Sequence, residues 1–107
     1  MIITESKLEA ALNYLRDTDE TCAAFKVEVS RKEYLCKIAR ARIFLNAEGS
    51  VEQRKAMAEI DKEVEIAEEA RLTALGEFEK QKAKRETNIL IVEVWRTEAA
   101  NKRAGNI

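Results

Sequence analysis

The sequence predicts an all-α protein: an antiparallel helical hairpin or coiled coil with a long C-terminal helix, a short N-terminal helix and a tendency to form oligomers. Three observations carry this. The 107 residues include no Pro and only three Gly, so the many turns of a β-sandwich or barrel cannot be built. Charged residues make up 36 % of the chain, which is rich in Ala, Glu, Lys, Leu and Arg, the residues of long helices. Apolar side chains recur at alternating steps of three and four through the C-terminal half, the spacing of a coiled-coil seam. A single helical domain over residues 1–107 is expected.

The elements follow in order. Thr4 is a good N-cap, and Leu8, Ala11, Leu12 and Leu15 give a first helix, about 5–16, one apolar face. Asp17-Thr18-Asp19 breaks it and offers fresh caps. A second helix is expected over about 19–47. Inside it, Phe25-Lys26-Val27-Glu28-Val29 alternates like a strand, and Ser30-Arg31-Lys32-Glu33 has the form of a capping box. One helix is preferred through 27–30, because no turn residue flanks the alternating piece and a strand there has no partner. From Tyr34 onward, Leu35, Cys36, Ile38, Ala39, Ile43 and Leu45 cover about half the circumference, a width that meets more than one neighbour.

The clearest punctuation is the turn at 48–50. Gly49 suits the positive-φ residue that ends a helix, and Ser50 with Gln53 makes a capping box for the next. That third helix is expected to run over about 51–103, because the isolated Gly76 does not end a helix. Its seam is Met57, Ile60, Val64, Ala67, Arg71, Ala74, Phe78 and Gln81, resuming at Asn88, Val92, Trp95 or Arg96, and Ala99.

Charge is nearly balanced, net −1, but blocked. Residues 1–25 carry −3, 26–42 carry +4, 43–58 are neutral, 59–79 carry −6 and 80–107 carry +4. Folding at Gly49 sets basic 26–42 beside acidic 56–72, and the acidic first helix beside basic 80–93. Such complementarity is what flanking charges do in coiled coils. Three i,i+4 pairs in the favourable order, Glu28–Lys32, Glu33–Lys37 and Glu98–Lys102, support helicity further.

Composition excludes much chemistry. With no His, no Ser–His or Cys–His pair and no His-ligated metal site can form. Gly49, Gly76 and Gly105 lie too far apart for a phosphate-binding loop. No catalytic residue is nominated, no cofactor is expected, and the chain is read as a non-enzyme. Asp61, Glu65, Glu68 and Glu69 could offer oxygens to a cation, but read more simply as an acidic flank facing Lys32 and Arg40. Cys22 and Cys36, if one helix carries both, lie about 21 Å apart, beyond disulfide reach. Reduced thiols and a start that runs at once into charge, unlike a signal peptide, point to the cytoplasm. The most apolar run, Ile89 to Trp95, contains Glu93 and is too short to span a bilayer; no membrane partner is expected.

Two surfaces remain as functional candidates. The run from Asn88 to Trp95 is apolar nearly all round if helical, so it needs neighbours on all sides. Ile89, Val92, Trp95, Arg96 and Ala99 are nominated as an oligomer or partner interface, with Trp95 its anchor. The alternative is nucleic-acid contact through Lys80, Lys82, Lys84, Arg85, Arg96, Lys102 and Arg103, with Trp95 stacking on an unpaired base. The pI of about 5.7 and the acidic first helix speak against it.

The stretch from Glu33-Tyr34-Leu35 through Leu45, with Gly49-Ser50-Val51, Arg54-Lys55-Ala56, Lys84-Arg85, Glu93-Val94-Trp95-Arg96 and Ala99-Ala100-Asn101-Lys102-Arg103-Ala104-Gly105, resembles a family of small helical-hairpin proteins encoded by tailed bacteriophages and prophages. The resemblance covers about three-quarters of the chain and includes no catalytic signature, so it transfers no functional residues. It implies an infected bacterial cytoplasm and a link to phage DNA replication or recombination. The resulting expectation is a phage accessory protein acting by protein–protein contact, with itself and with a phage or host protein.

Overall fold

A computed structural model describes residues 2–105. Among them are three helices, α1 (Glu5–Asn46, 42 residues), α2 (Val51–Ile60, 10 residues) and α3 (Lys62–Arg103, 42 residues), and no strand. The protein is all-α. No helix among the described residues is long and apolar enough to cross a membrane.

The start of α1 is the expected one: Lys7 N donates to Thr4 Oγ1 at 3.1 Å. The expected break at 17–19 is absent, and so is a short N-terminal helix; the two expected helices are one, which ends at Asn46. The side chains that would have capped a new helix are engaged elsewhere. Thr18 Oγ1 donates back to the Tyr14 carbonyl at 2.7 Å, Asp17 pairs with Arg16 at 3.3 Å and Asp19 with Arg85 at 2.6 Å. The heptad also runs on unbroken through Leu15, Thr18, Cys22, Phe25 and Val29, all buried or half-buried. A continuous seam outweighs one locally favourable cap. Residues 27–30 are helical too: Glu28 bonds Arg31 at 2.7 Å and Lys32 at 3.5 Å within the helix.

The turn forms as the sequence indicates. Gly49 has φ +114°. Gln53 N donates to Ser50 Oγ at 3.2 Å, and Ser50 N to Gln53 Oε1 at 2.9 Å. A Cβ at Gly49 would lie 2.5 Å from that same Oε1, so Gly49 serves both the backbone turn and the box it abuts.

The helix expected over 51–103 is interrupted at Asp61, whose φ −68° and ψ 138° are extended. Asp61 ends α2 and caps α3: its Oδ1 accepts from Glu63 N at 2.8 Å and its carbonyl from Glu65 N at 3.0 Å. Glu63 and Glu65 in the first turn favour that helix start electrostatically. The break also corrects the seam. Met57 and Ile60 were expected inside, yet Ile60 is 82 % exposed and Ala58 is buried instead. One extended residue rotates α2 relative to α3, so the periodicity read backwards from Val64 selects the wrong face.

The chain forms two compact units, Met1–Ala23 with Glu79–Ile107, and Ala24–Phe78. In the first, the residues at the start of the chain meet the late part of α3 and the following turns of α1 meet its earlier part: Ile3 N donates to Glu98 Oε2 at 3.1 Å, whereas Gln81 Nε2 donates to Tyr14 Oη at 2.9 Å and Arg85 Nη2 to Asp19 Oδ1 at 2.6 Å. The two segments are antiparallel, and Ile3 and Ala11 are buried between them. In the second unit the chain doubles back at the 47–50 turn. Val29, Cys36, Ala39, Ala58 and Val64 are buried there, and the Arg54 guanidinium sits 4.2 Å from the Phe44 ring centre. A seam between two helical layers buries only a narrow stripe of side chains, and the faces turned away from it stay uncovered.

Candidate interaction surfaces

In the first unit the five nominated interface residues divide. Val92, Trp95 and Ala99 are half-buried on the side of α3 that meets α1. Trp95 and Ala99 line a recess with Ile2 and Ile3, and Trp95 also borders an open recess with Arg96, Lys102 and Arg103. The seam explains their apolar character. Ile89 and Arg96 face outward, and so does Leu90, which the sequence reading did not nominate; Ile89 is 43 % and Leu90 56 % exposed. Counting back from the seam at 3.6 residues per turn, Leu90 lies on the opposite side of α3. That phase was readable once Val92, Trp95 and Ala99 were known to face α1.

The basic residues do not form one stripe. Arg85 points inward: Nη1 donates to the Leu15 carbonyl at 2.8 Å and to Thr18 Oγ1 at 2.7 Å, and Nη2 to Asp19. Its donors are turned to α1, which removes it from a phosphate-binding face. Lys80, Lys82, Lys84, Arg96, Lys102 and Arg103 are exposed. At 3.6 residues per turn, Lys80, Lys84 and Lys102 fall on one side of the seam, and Lys82, Arg96 and Arg103 on the other. A track along one phosphate backbone needs them on one face.

In the second unit the two sides of the hairpin differ in character. One carries ion pairs. Arg40 bonds Glu59 at 2.9 Å and Glu68 at 2.8 Å, and Arg71 bonds Glu68 at 2.9 Å. Arg42 pairs with Glu63 across the opposite side of the hairpin. Basic 26–42 thus meets acidic 56–72 as the charge blocks indicate, although Lys32 pairs with Glu28 rather than with the acidic flank. The hydrogen bonds from Arg71 and Arg40 hold the Glu68 carboxyl below the usual carboxylate range. Beneath it, burial pushes the Cys36 thiol up, and the Glu68 carboxylate adds to the effect; a thiol so placed is a poor nucleophile. Cys22 is half-buried and both thiols are free. Asp61 of the acidic quartet is a helix cap and Glu68 an ion-pair partner. Among the described residues no group of three or more His, Cys, Asp or Glu is placed to hold a metal ion.

The Glu68 shift has a pH consequence. Its carboxyl releases its proton more readily folded than unfolded, so it stabilises the fold above the ordinary glutamate range. That contribution is lost as pH falls through the depressed folded value. Melting temperature should fall with acidification more gently in Glu68→Gln than in the wild type. Superimposable acid limbs in the two proteins would show that Glu68 contributes nothing.

The other side of the hairpin is an open groove lined by Leu35, Ile38, Ile66, Ala67 and Ala70, with Lys32, Arg42 and Glu63 at its rim. The wide α1 face that begins at Tyr34 turns Leu35 and Ile38 to this groove, beside the seam that buries Cys36 and Ala39. Comparison of the chain with family models, curated proteins and solved structures finds no match.

Proposed function

We propose that the protein is a non-enzymatic interaction module, and that residues 88–103 of α3 form its surface for self-association and for a protein partner. The observation that supports this is the outward placement of Ile89 and Leu90 on a helix whose seam needs are already met by Val92, Trp95 and Ala99. Adjacent aliphatic side chains left in water, bordered one turn to either side by the exposed Glu86 and Glu93, are features of an interface core with a polar border. The resemblance read from the sequence supports taking this activity as an accessory to phage DNA replication or recombination in an infected bacterial cytoplasm, part of the same proposal.

The test is the light-scattering mass of Ile89→Asp/Leu90→Asp, with helicity checked by circular dichroism. Both residues lie off the α1-facing side, so helicity is retained and the assembly becomes smaller. An unchanged mass overturns the reading. Single-stranded DNA is added in parallel. Mass gained with DNA and lost steeply with salt would assign the surface to nucleic acid instead.

A further inference from the structure

We infer that the unit spanning Ala24–Phe78 has a self-association surface of its own, the outer face of α1, and that its occupant is the same face of a second copy running antiparallel. This surface is separate from residues 88–103 and does not depend on them. α1 carries two heptad-spaced stripes. One passes through Val29, Cys36 and Ala39 and is the buried seam. The other is Val27, Arg31, Tyr34, Ile38, Ala41 and Leu45, in steps of four, three, four, three and four on the opposite side of the helix. Tyr34 is 62 % and Leu45 72 % exposed, Val27 is exposed as well, and Ile38 is half-buried at the edge of the groove that holds Leu35 and Ile66. A helix in a two-layer unit needs one seam. A second stripe at the same spacing is suited to a second helical neighbour.

Symmetry and charge select that neighbour. The step pattern reads the same in both directions, so two copies pair antiparallel about a two-fold axis near residue 36. Val27 then meets Leu45, Tyr34 meets Ile38 and Arg31 meets Ala41. Glu28, Leu35 and Arg42 flank the stripe on the groove side at seven-residue spacing. The same axis sets Leu35 against Leu35, and Glu28 of each copy against Arg42 of the other, two pairs of opposite charge. A parallel arrangement would instead set Lys37 against Arg42, a like pair. The antiparallel one has a single like pair, Lys37 with its own copy on the far flank.

The experiment is cross-linking of the full chain by a short bis-maleimide, in a Cys22→Ser background where the remaining native thiol, Cys36, is buried. Leu35→Cys should form covalent dimers about tenfold faster than Val51→Cys, an exposed position outside the stripe, because thiols held together react as a linked pair. Glu28→Arg or Arg42→Glu alone should remove that advantage, and the two together should restore it. The intrachain partners of these residues, Arg31 and Lys32 for Glu28 and Glu63 for Arg42, are not restored by the double exchange, so recovery reports the contact between copies. Repeating the assay with Leu90→Asp present separates this surface from residues 88–103: the rate is unaffected if the two are independent. Equal rates for Leu35→Cys and Val51→Cys overturn the inference, and failure of the double exchange to recover overturns the antiparallel register.

Discussion

Val64→Ala should lower stability by about 2 kcal/mol, while Ile60→Ala should change it by less than about 0.5 kcal/mol. The two positions are four residues apart and belong to the same face of an uninterrupted helix. Val64 is 1 % exposed and Ile60 is almost entirely in water. The contrast exists only because Asp61 ends one helix and caps the next. Removing two methyl groups at Val64 takes them from a packed interior with no room to collapse. Removing three carbons at Ile60, one more than at Val64, takes them from solvent. Chemical denaturation of both variants measures the difference directly. Equal losses at the two positions would mean that α2 and α3 are one continuous helix and that the Asp61 break does not form.

Arg85→Ala should cost about 2 kcal/mol, the scale of hydrogen bonds to a charged group lost together with stem packing. Its guanidinium links three groups on α1, the Leu15 carbonyl, the Thr18 hydroxyl and the Asp19 carboxylate. Arg85→Met should recover much of the loss, because it refills the space of the stem without a charge to desolvate. The Met variant should nevertheless show faster amide exchange around 14–19, since the network with Gln81 and Tyr14 is what pins one antiparallel register against neighbouring ones. If Ala and Met are equally costly, the hydrogen bonds dominate. If both are neutral, the network contributes nothing to the pairing of α1 with α3.

Much of the fold was legible in particular residues. Thr4, Gly49 and the Ser50–Gln53 box mark helix ends because each satisfies backbone groups locally. The charge blocks anticipated Arg40 with Glu59 and Glu68, because complementary flanks follow once the chain reverses. The errors came where two local signals competed. Asp17-Thr18-Asp19 looked like a break, but its side chains found partners one turn back, next door and on α3. Asp61 looked like an ordinary helical residue, but with Glu63 and Glu65 behind it an N-cap was also available. The candidate surface was legible as a segment and not as a face. Ile89 through Trp95 reads as apolar all round, and no count along the chain says which of those residues α1 covers.

Helicity, the point of chain reversal and the meeting of charged segments were all legible along the chain. All three rest on interactions within a few residues or on net charge over a block. Packing between distant segments made α1 continuous, put Ala58 inside in place of Ile60, turned Arg85 inward and left Leu90 and the Tyr34 face in water. The physical reason is the same in each case. A heptad fixes spacing but not phase, and the phase is set by contacts with residues dozens of positions away.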